Sequence, residues 1–474
     1  MKKVLNQHLS ELSQTLATFF TRYLYIIGLG LVTFFSLYLN WDNPPNFDEA
    51  HAWNIARFLS PVEIFTISKT EGHPFLWYYL LMPMAKINLF YPWSLYLLNL
   101  IIILFSLYFL YKYAPIPTHT KYLITLSAPF LKAYSSFARS YSLSILLLFI
   151  ILSLYSKRHK KNILYLSLII LLANTNMIAL FAAFPLGLIY LIETLIQYKK
   201  EHKIIPILTA GVFALLEALL LYLQFYNYDA EVPAHLPIFN TVTINLNNTF
   251  YPLNIYIFGA LTLISICIFL RKHKYFALLF LVLSYLSMAI LFATVYKCTV
   301  HHYIFFYVYL FAAYWIACME NSTPLTSLQF LPLSIIALCL IFNPNLTYKL
   351  QVREYHQTLR NAAQNINQIF EKKPANIFFL EPFDSTIVSP YLDENISIYN
   401  QTATEFRTLK GAQQLFYYFY KPINALDIVH HLKNNTNNWL FRSCKEQTLH
   451  NEYMEFHLIY HLNKTYCLYN ITLR

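Results

Sequence analysis

The chain has 474 residues, of which 57% are hydrophobic, 18% aromatic and only 12% charged. Soluble domains carry about a quarter charged residues, so this composition excludes a soluble globular protein and predicts an integral membrane protein. The net charge of +11 does not indicate nucleic-acid binding. The basic residues lie in short loops between apolar segments, where they set the orientation of a protein in a bilayer.

The apolar segments predict a polytopic α-helical membrane protein. A helix needs about 20 mostly apolar residues to cross a bilayer, and about eleven segments approach that length. The predicted transmembrane helices are 22–40, 93–111, 121–137, 138–155, 163–176, 177–198, 204–223, 251–270, 275–293, 302–318 and 327–343. No small-residue cleavage site follows the first of them, so we expect it to remain as an anchor.

The apolar segment 74–90 is interpreted as an interfacial helix on the outer membrane surface. It follows His73-Pro74 and contains Pro83 and Lys86. A true span here is the alternative. It would invert every later loop and break the charge pattern of the map.

The charged loops predict the orientation. The external loop 40–92 and the loop 224–250 carry acidic residues. The predicted spans place Lys2, Lys3 and three basic loops on the opposite side of the membrane. The basic loops are 157–161, 199–203 and 271–274. Positive loops stay in the cytoplasm, so we expect a cytoplasmic N-terminus, a periplasmic C-terminal domain and a multi-pass protein of the cell inner membrane.

From about residue 344 onward the pattern changes from apolar spans to shorter, mixed segments. It predicts a helix at 350–371, strands at 376–380 and 396–399, and a hairpin turning at Asn463-Lys464. We therefore expect a transmembrane domain at 1–343, including the loop 40–92, and a soluble periplasmic α/β domain at 344–474.

Two cysteines, Cys444 and Cys467, fall in the predicted external domain. Oxidation is allowed outside the cytoplasm. A disulfide between them and a pair of free, packed thiols both remain open.

The first acidic cluster is Phe47-Asp48-Glu49-Ala50-His51. Asn46 can cap a helix that starts there, and the macrodipole then favours carboxylates in the first turn. That is a structural explanation. A carboxylate near the membrane surface is also a suitable general base for an acceptor hydroxyl or amine, which makes Asp48 and Glu49 the candidate catalytic residues.

The second cluster contains Glu71 and His73, and His51 could join it. Histidine and glutamate at such spacing could hold a divalent cation or hydrogen-bond a phosphate. An ordinary loop salt bridge is the alternative.

Basic and aromatic residues recur at the outer ends of later spans. Arg139 and Tyr141 lie between two predicted spans, and Lys297 and His302 lie before another. A cation at that depth is costly unless it meets an anion such as a lipid phosphate, which arginine grips in bidentate fashion. Headgroup contact by snorkelling side chains is the alternative.

Four polar residues interrupt the apolar spans. Asn174 and Asn176 break one run at the same predicted level and could line the same cavity, or they could join helices by hydrogen bonds. Glu193 and Glu217 lie away from the outer cluster, so we interpret them as interhelical hydrogen-bonding residues.

Taken in order, four short motifs resemble those of the GT-C superfamily of membrane glycosyltransferases, which use polyprenyl-phosphate sugars. The likeness is greatest to the RgtA-like, aminoarabinose-transferase and protein O-mannosyltransferase group. The motifs are Asp48-Glu49-Ala50, Gly72-His73-Pro74-Phe75-Leu76-Trp77-Tyr78-Tyr79, Ala138-Arg139-Ser140-Tyr141 and Ala173-Asn174-Thr175-Asn176-Met177. Three positions depart from that pattern. Phe75 replaces a second proline, Asn176 stands near a usual tyrosine or histidine, and His302-Tyr303 replaces Arg-Tyr.

The resemblance implies an inverting hexosyltransferase with a polyprenyl-phosphate-linked sugar as donor and a lipid, glycan or protein as acceptor. Asp48 would be the general base, and Arg139, Lys297 and His302, with Tyr141, would stabilise the departing polyprenyl phosphate. Glu49, Glu71 and His73 would order the loop or bind a metal. No cofactor is required, although a divalent metal cation is possible.

Two other functions remain open. A transporter or flippase would also place charges near cavities, but such proteins usually carry repeats and polar sites at the bilayer midplane. No repeat is visible here, and the polar residues gather at one face. A non-catalytic membrane assembly factor would tolerate replacement of Asp48.

Overall fold

The structure is a computed structural model. It describes residues 23–71, 73–226, 238–294, 299–320, 323–345, 352–371, 373–379, 382–400, 407–408, 437–444 and 454–473. The chain forms two compact units. The helical unit comprises Met1–Leu39, Leu97–Tyr222 and Glu231–Tyr348, and the mixed unit comprises Asn40–Tyr96, Leu223–Ala230 and Lys349–Arg474.

Long apolar helices make this chain a multi-pass membrane protein. At 1.5 Å per residue a helix of about 20 residues crosses the hydrocarbon core, and seven helices of the described residues are long and apolar enough. They are α1 (Tyr23–Asn40), α6 (Trp93–Tyr113), α9 (Ser140–Leu154, continued to Lys157), α11 (Met177–Glu201), α12 (Ile205–Phe225), α15 (Tyr275–Thr294) and α16 (Val300–Met319).

Other apolar helices are shorter or bent. Helix α13 (Ile238–Phe250) and helix α14 (Ile255–Arg271) meet at 76° and would add an eighth span if counted as one. Helices α10 (Asn162–Ala173) and α17 (Leu331–Ile341) have 12 and 11 residues. The predicted count of eleven is therefore not confirmed.

The predicted span 121–137 is not one continuous helix. Helix α7 (Thr118–Leu126) ends at Ser127, whose backbone is extended. A π-helix, Pro129–Ala133, and the three-residue helix α8 (Tyr134–Ser136) follow. Proline at the start of the π-helix cannot donate a backbone hydrogen bond, which favours a break there. The irregular segment leads directly to Arg139.

The first loop of the mixed unit contains four short helices. They are α2 (Phe47–Phe58), α3 (Pro61–Thr66), α4 (Ser68–Glu71) and α5 (Leu76–Ala85). Helix α5 has 10 residues, about half the length of a span. The segment 74–90 is thus too short in its helical part to cross a bilayer.

The C-terminal part of the mixed unit contains a six-stranded sheet in the order β3-β2-β1-β4-β6-β5. Its strands are β1 (Ala375–Phe379), β2 (Ile396–Asn400), β3 (Arg407–Thr408), β4 (Asn438–Ser443), β5 (Met454–His461) and β6 (Tyr466–Leu473). Strand β1 pairs in parallel with β2 and β4, whereas β5 and β6 form an antiparallel hairpin. The predicted strands and hairpin are confirmed.

Helix α18 (Arg353–Phe370) covers part of this region with an amphipathic face. Its buried residues recur every three or four positions, which is the helical period of a core-facing stripe; they are His356, Leu359, Ala362, Ala363, Ile366 and Phe370. Helix α19 (Pro382–Val388) follows β1. Cys444 and Cys467 form a disulfide with an S–S distance of 2.00 Å, so the first of the two open alternatives is correct.

The mixed unit is assembled from two chain segments that are distant in sequence. Asn54 Nδ2 donates to the carbonyl of Thr386 at 3.1 Å, and Asn88 Nδ2 donates to that of Pro390 at 3.2 Å. Arg360 forms an ion pair with Asp42. The loop 40–92, which the sequence assigned to the transmembrane domain, therefore packs in one unit with the C-terminal residues.

Candidate functional site

The two neighbouring carboxylates at the start of α2 have different surroundings. Asn46 Oδ1 accepts the N–H of Glu49, and Glu49 Oε2 accepts the N–H of Asn46, each at 2.9 Å. These reciprocal bonds form a capping box. Glu49 is fully buried, whereas Asp48 is partly exposed. The predicted cap is confirmed, and the geometry favours Asp48 over Glu49 as the reacting carboxylate.

His51, Glu71 and Tyr78 form a hydrogen-bonded triad in the mixed unit. His51 Nε2 lies 2.7 Å from Glu71 Oε1, and the Tyr78 hydroxyl donates to Glu71 Oε2 at 2.9 Å. The ring of Phe47 stacks on that of His51 at 5.5 Å. Glu71 thus links helix α2 to helix α5. This arrangement favours the loop-ordering role that was expected of Glu71.

A metal site is less well supported at this triad. Both carboxylate oxygens of Glu71 already accept hydrogen bonds, and His73 is partly exposed two residues later. Among the described residues, the one group of three possible ligands is Cys444, His461 and Cys467. Since their two sulfurs are joined to each other, that group does not offer thiolate ligands in this state.

In the helical unit, two motifs more than 150 residues apart come together. Arg139 is the N-cap residue of α9, with an extended backbone and 6% exposure. Tyr141, in the first turn of α9, has its hydroxyl 2.7 Å from Nε2 of His302, in the first turn of α16. Lys297 lies outside the described residues. The structure therefore joins three of the four predicted phosphate-binding residues in one part of the fold.

The hydrogen bonds of His302 define its tautomer. Its Nδ1 accepts the backbone N–H of Thr299 at 3.0 Å, so Nδ1 carries no proton. In a neutral imidazole the proton then lies on Nε2, which donates to the oxygen of Tyr141. In this tautomer His302 orients the Tyr141 hydroxyl.

Aromatic rings surround this hydrogen bond. The His301 ring centroid lies 4.8 Å from that of Phe137 and 5.3 Å from that of Tyr141. The Tyr134 hydroxyl donates to the carbonyl of His301 at 2.8 Å. Such packing fixes the start of α16 against the start of α9. It holds a polar group in an apolar setting, where electrostatic interactions are strong.

The asparagines between α10 and α11 join helices. Asn176 caps α11 by accepting the N–H of Ala179 at 2.9 Å, and its Nδ2 donates to Ser144 Oγ at 2.6 Å. Asn174 Nδ2 donates to the carboxylate of Glu217 at 3.0 Å. The structure thus favours the helix-joining alternative for both asparagines over a cavity lining.

The interhelical interpretation is confirmed for Glu217, whereas Glu193 bonds to residues of the turn between α9 and α10. Glu217 of α12 pairs with Asn174, which ends α10. Glu193 of α11 pairs with Arg158 and lies 3.2 Å from His159 Nε2. A carboxylate in an apolar helix needs such partners because an isolated charge there is costly.

Sequence reasoning assigned no role to three polar residues, Tyr78, Ser140 and Ser144. Tyr78 holds Glu71, and Ser140 and Ser144 lie on the face of α9 that meets Asn176. The four-residue spacing of the serines places them on one helix face. Tyr78 stands in one of the quoted motifs, but its partner could not be predicted, because tyrosine is common throughout this chain.

No protein-family model matches the sequence, and neither the curated proteins nor the solved structures contain a significant match to it. The class that the fold defines is a multi-pass membrane protein with an additional sheet-containing unit. Any particular activity therefore rests on the residues themselves.

Proposed function

We propose that this membrane protein is an inverting glycosyltransferase. It would move a sugar from a polyprenyl-phosphate donor to an acceptor at the periplasmic face of the inner membrane. About eleven spans, a cytoplasmic N-terminus and a soluble periplasmic α/β domain at the C-terminus are parts of the same proposal.

The observation that carries the proposal is the convergence of Arg139, Tyr141 and His302 in the helical unit. Arg139 begins the helix that carries Tyr141 and is 6% exposed, and arginine is suited to pair with a phosphate in bidentate fashion. Tyr141 is held by His302 so that its own proton can be donated to a phosphate oxygen. A cation and an oriented hydroxyl are the groups that stabilise growing negative charge on a leaving phosphate.

Asp48 is the general base of the proposed reaction, as the resemblance implies. In the proposed step an acceptor oxygen or nitrogen attacks the anomeric carbon, and the bond from that carbon to the phosphate oxygen breaks. The acceptor proton passes to the Asp48 carboxylate, while the bonding electrons leave with the polyprenyl phosphate. A single displacement inverts the anomeric carbon. Glu49, fixed in the capping box, holds the first turn that carries Asp48.

The proposal is tested by transfer assays on purified protein in lipid, with a panel of radiolabelled polyprenyl-phosphate sugars and a membrane acceptor extract. Asp48→Asn keeps the side-chain shape but cannot take a proton, so transfer should fall about 100-fold or more. Glu354→Gln is the matched control, because Glu354 is an exposed carboxylate in the first turn of another helix of the mixed unit, α18.

Two outcomes would contradict the proposal. Equal transfer by wild type and Asp48→Asn would leave Asp48 as a helix-start carboxylate only. Absence of transfer from every donor by folded wild-type protein would favour the transporter or assembly-factor function instead.

A further inference from the structure

A cavity of about 290 Å³ opens in the mixed unit, and its lining contains neither Asp48 nor a residue of the His51 triad. Arg57 and Phe58 at the end of α2 and Lys86 after α5 form one part of its lining. Ser389, Asp393 and Glu394, which follow α19, form another part. Its size is at the lower end of the range of small-molecule sites.

Arg57 is a partly buried cation in this lining. Among the residues that the structure describes, its guanidinium makes no hydrogen bond or ion pair; it lies over the Phe58 ring at 5.2 Å. Burial lowers the pKa of Arg57 from its ordinary value, and the carboxylate of Glu394 offsets this in part. A partly buried guanidinium seldom lacks a hydrogen bond or ion pair unless a ligand anion pairs with it, since desolvating a charge is costly.

Ser389 provides a second, independent observation. It is only 3% exposed, and its Oγ has no hydrogen-bond partner in the described part of the chain. A buried hydroxyl without a partner costs free energy. Since Ser389 lines the cavity, a ligand hydroxyl placed there would satisfy it.

The remaining lining adds chemistry of two kinds. Lys86 Nζ donates to the carbonyl of Leu59 at 2.6 Å and has further protons to donate. Asp393 and Glu394 are exposed carboxylates, which accept hydrogen bonds from hydroxyl groups. The lining also contains the apolar side chains of Leu392, Ile396 and Ile398.

We infer that this cavity is a binding site for one acidic sugar residue, a uronic acid or a phosphorylated sugar, of the acceptor. Its anionic group would pair with Arg57 and Lys86, and its hydroxyls would bond to Ser389, Asp393 and Glu394. The assignment of the ligand to the acceptor rests on the proposed function. The binding site is argued from the cavity and its lining residues, independently of the proposed function.

The test is ligand binding to the full chain in lipid nanodiscs by calorimetry. The probes are glucuronic acid, glucose 6-phosphate, glucose and inorganic phosphate. We expect the two acidic sugars to bind about tenfold or more tighter than glucose, because a charge-assisted hydrogen bond contributes about that factor. They should also bind more tightly than inorganic phosphate.

Variants locate the site. Arg57→Gln should weaken acidic-sugar binding about tenfold or more, Arg57→Lys less, and Ser389→Ala should weaken it several-fold. Arg271→Gln, at an exposed arginine of the helical unit, is the matched control. Unchanged binding in both Arg57 variants, or no binding of either acidic sugar to wild type, would overturn the inference. Phosphate binding as tightly as glucose 6-phosphate would reduce the site to an anion site and overturn its sugar specificity.

Failure of this inference is distinguishable from failure of the proposed function. Asp48→Asn should bind acidic sugars like wild type while losing transfer. Transfer by wild type without acidic-sugar binding would remove the cavity site only. Acidic-sugar binding without any transfer would remove the glycosyltransferase function only.

Discussion

At the scale of single residues, Asp48 and Glu49 show how adjacent carboxylates can be assigned different work. Both favour the first turn of α2 by charge. Glu49 forms reciprocal hydrogen bonds with Asn46 and is buried, whereas Asp48 is partly exposed. A general base must reach its substrate. In the proposed function the candidate base is therefore the partly exposed Asp48 and not the buried Glu49.

Tyr141 offers a test of the proposed phosphate-binding role of Arg139, Tyr141 and His302. Tyr141→Phe keeps the ring but removes the hydroxyl that bonds His302 Nε2. We expect transfer to fall about 10- to 100-fold, because one oriented donor to the leaving group is lost and Nε2–H is left without its acceptor.

The measurement is kcat and KM for the donor in the lipid assay. The matched control is Tyr285→Phe, which removes a span hydroxyl that donates to the carbonyl of Phe306. Equal losses in both variants would assign a merely structural role to the Tyr141 hydroxyl.

Which residues carry polar chemistry could be predicted from the sequence, but their hydrogen-bond roles could not. The spacing of Asn46 and Glu49 is local, so the cap was predictable. The neutral tautomer of His302 was not, because it depends on Thr299 and on Tyr141, which is distant in sequence. Likewise, the sequence is equally compatible with Asn176 as a cavity-lining residue and as a helix-joining residue until its neighbours are known.

At the scale of elements, caps and breaks position the candidate residues. Arg139 lies between a π-helical segment and α9, and Asn176 begins α11. Apolar length predicted the long spans correctly. Apolar length did not predict the short and bent helices, because a continuous apolar segment does not show where a helix breaks within it.

Helix α2 provides a prediction at this scale. Asn46→Ala removes the side-chain acceptor of the capping box and should destabilise the mixed unit by about 1–2 kcal/mol. Thermal unfolding, followed in detergent, measures this change. Asn46→Ser, which keeps a capping oxygen, should lie close to wild type; an equal loss in both variants would show that the cap contributes little.

At the scale of the whole molecule, the mixed unit joins the first loop to the C-terminal residues. Strands β1 and β2 and the hairpin of β5 and β6 could be predicted from the sequence, because their patterns are local. The packing of the two segments against each other could not be predicted. Its contacts, Asn54 with Thr386 and Asp42 with Arg360, join residues that are distant in sequence.

This partnership predicts the result of cutting the chain. A protease site introduced at 346–350 and cleaved in the folded protein should leave the C-terminal fragment bound through packing and hydrogen bonds to the first loop. Size-exclusion chromatography in detergent measures retention. The uncleaved protein is the reference, and a fragment that elutes separately would contradict the description of a single unit.

The same division of the mixed unit sets an order of events during synthesis. Its two main segments are separated by about 250 residues, and a ribosome adds about 5–20 residues per second. The first loop, with Asp48, waits about 10–50 s for the strands and helices that complete its unit. An incomplete chain thus lacks the C-terminal segment against which the first loop packs. The first loop can therefore reach its final structure only after the polypeptide has been completed.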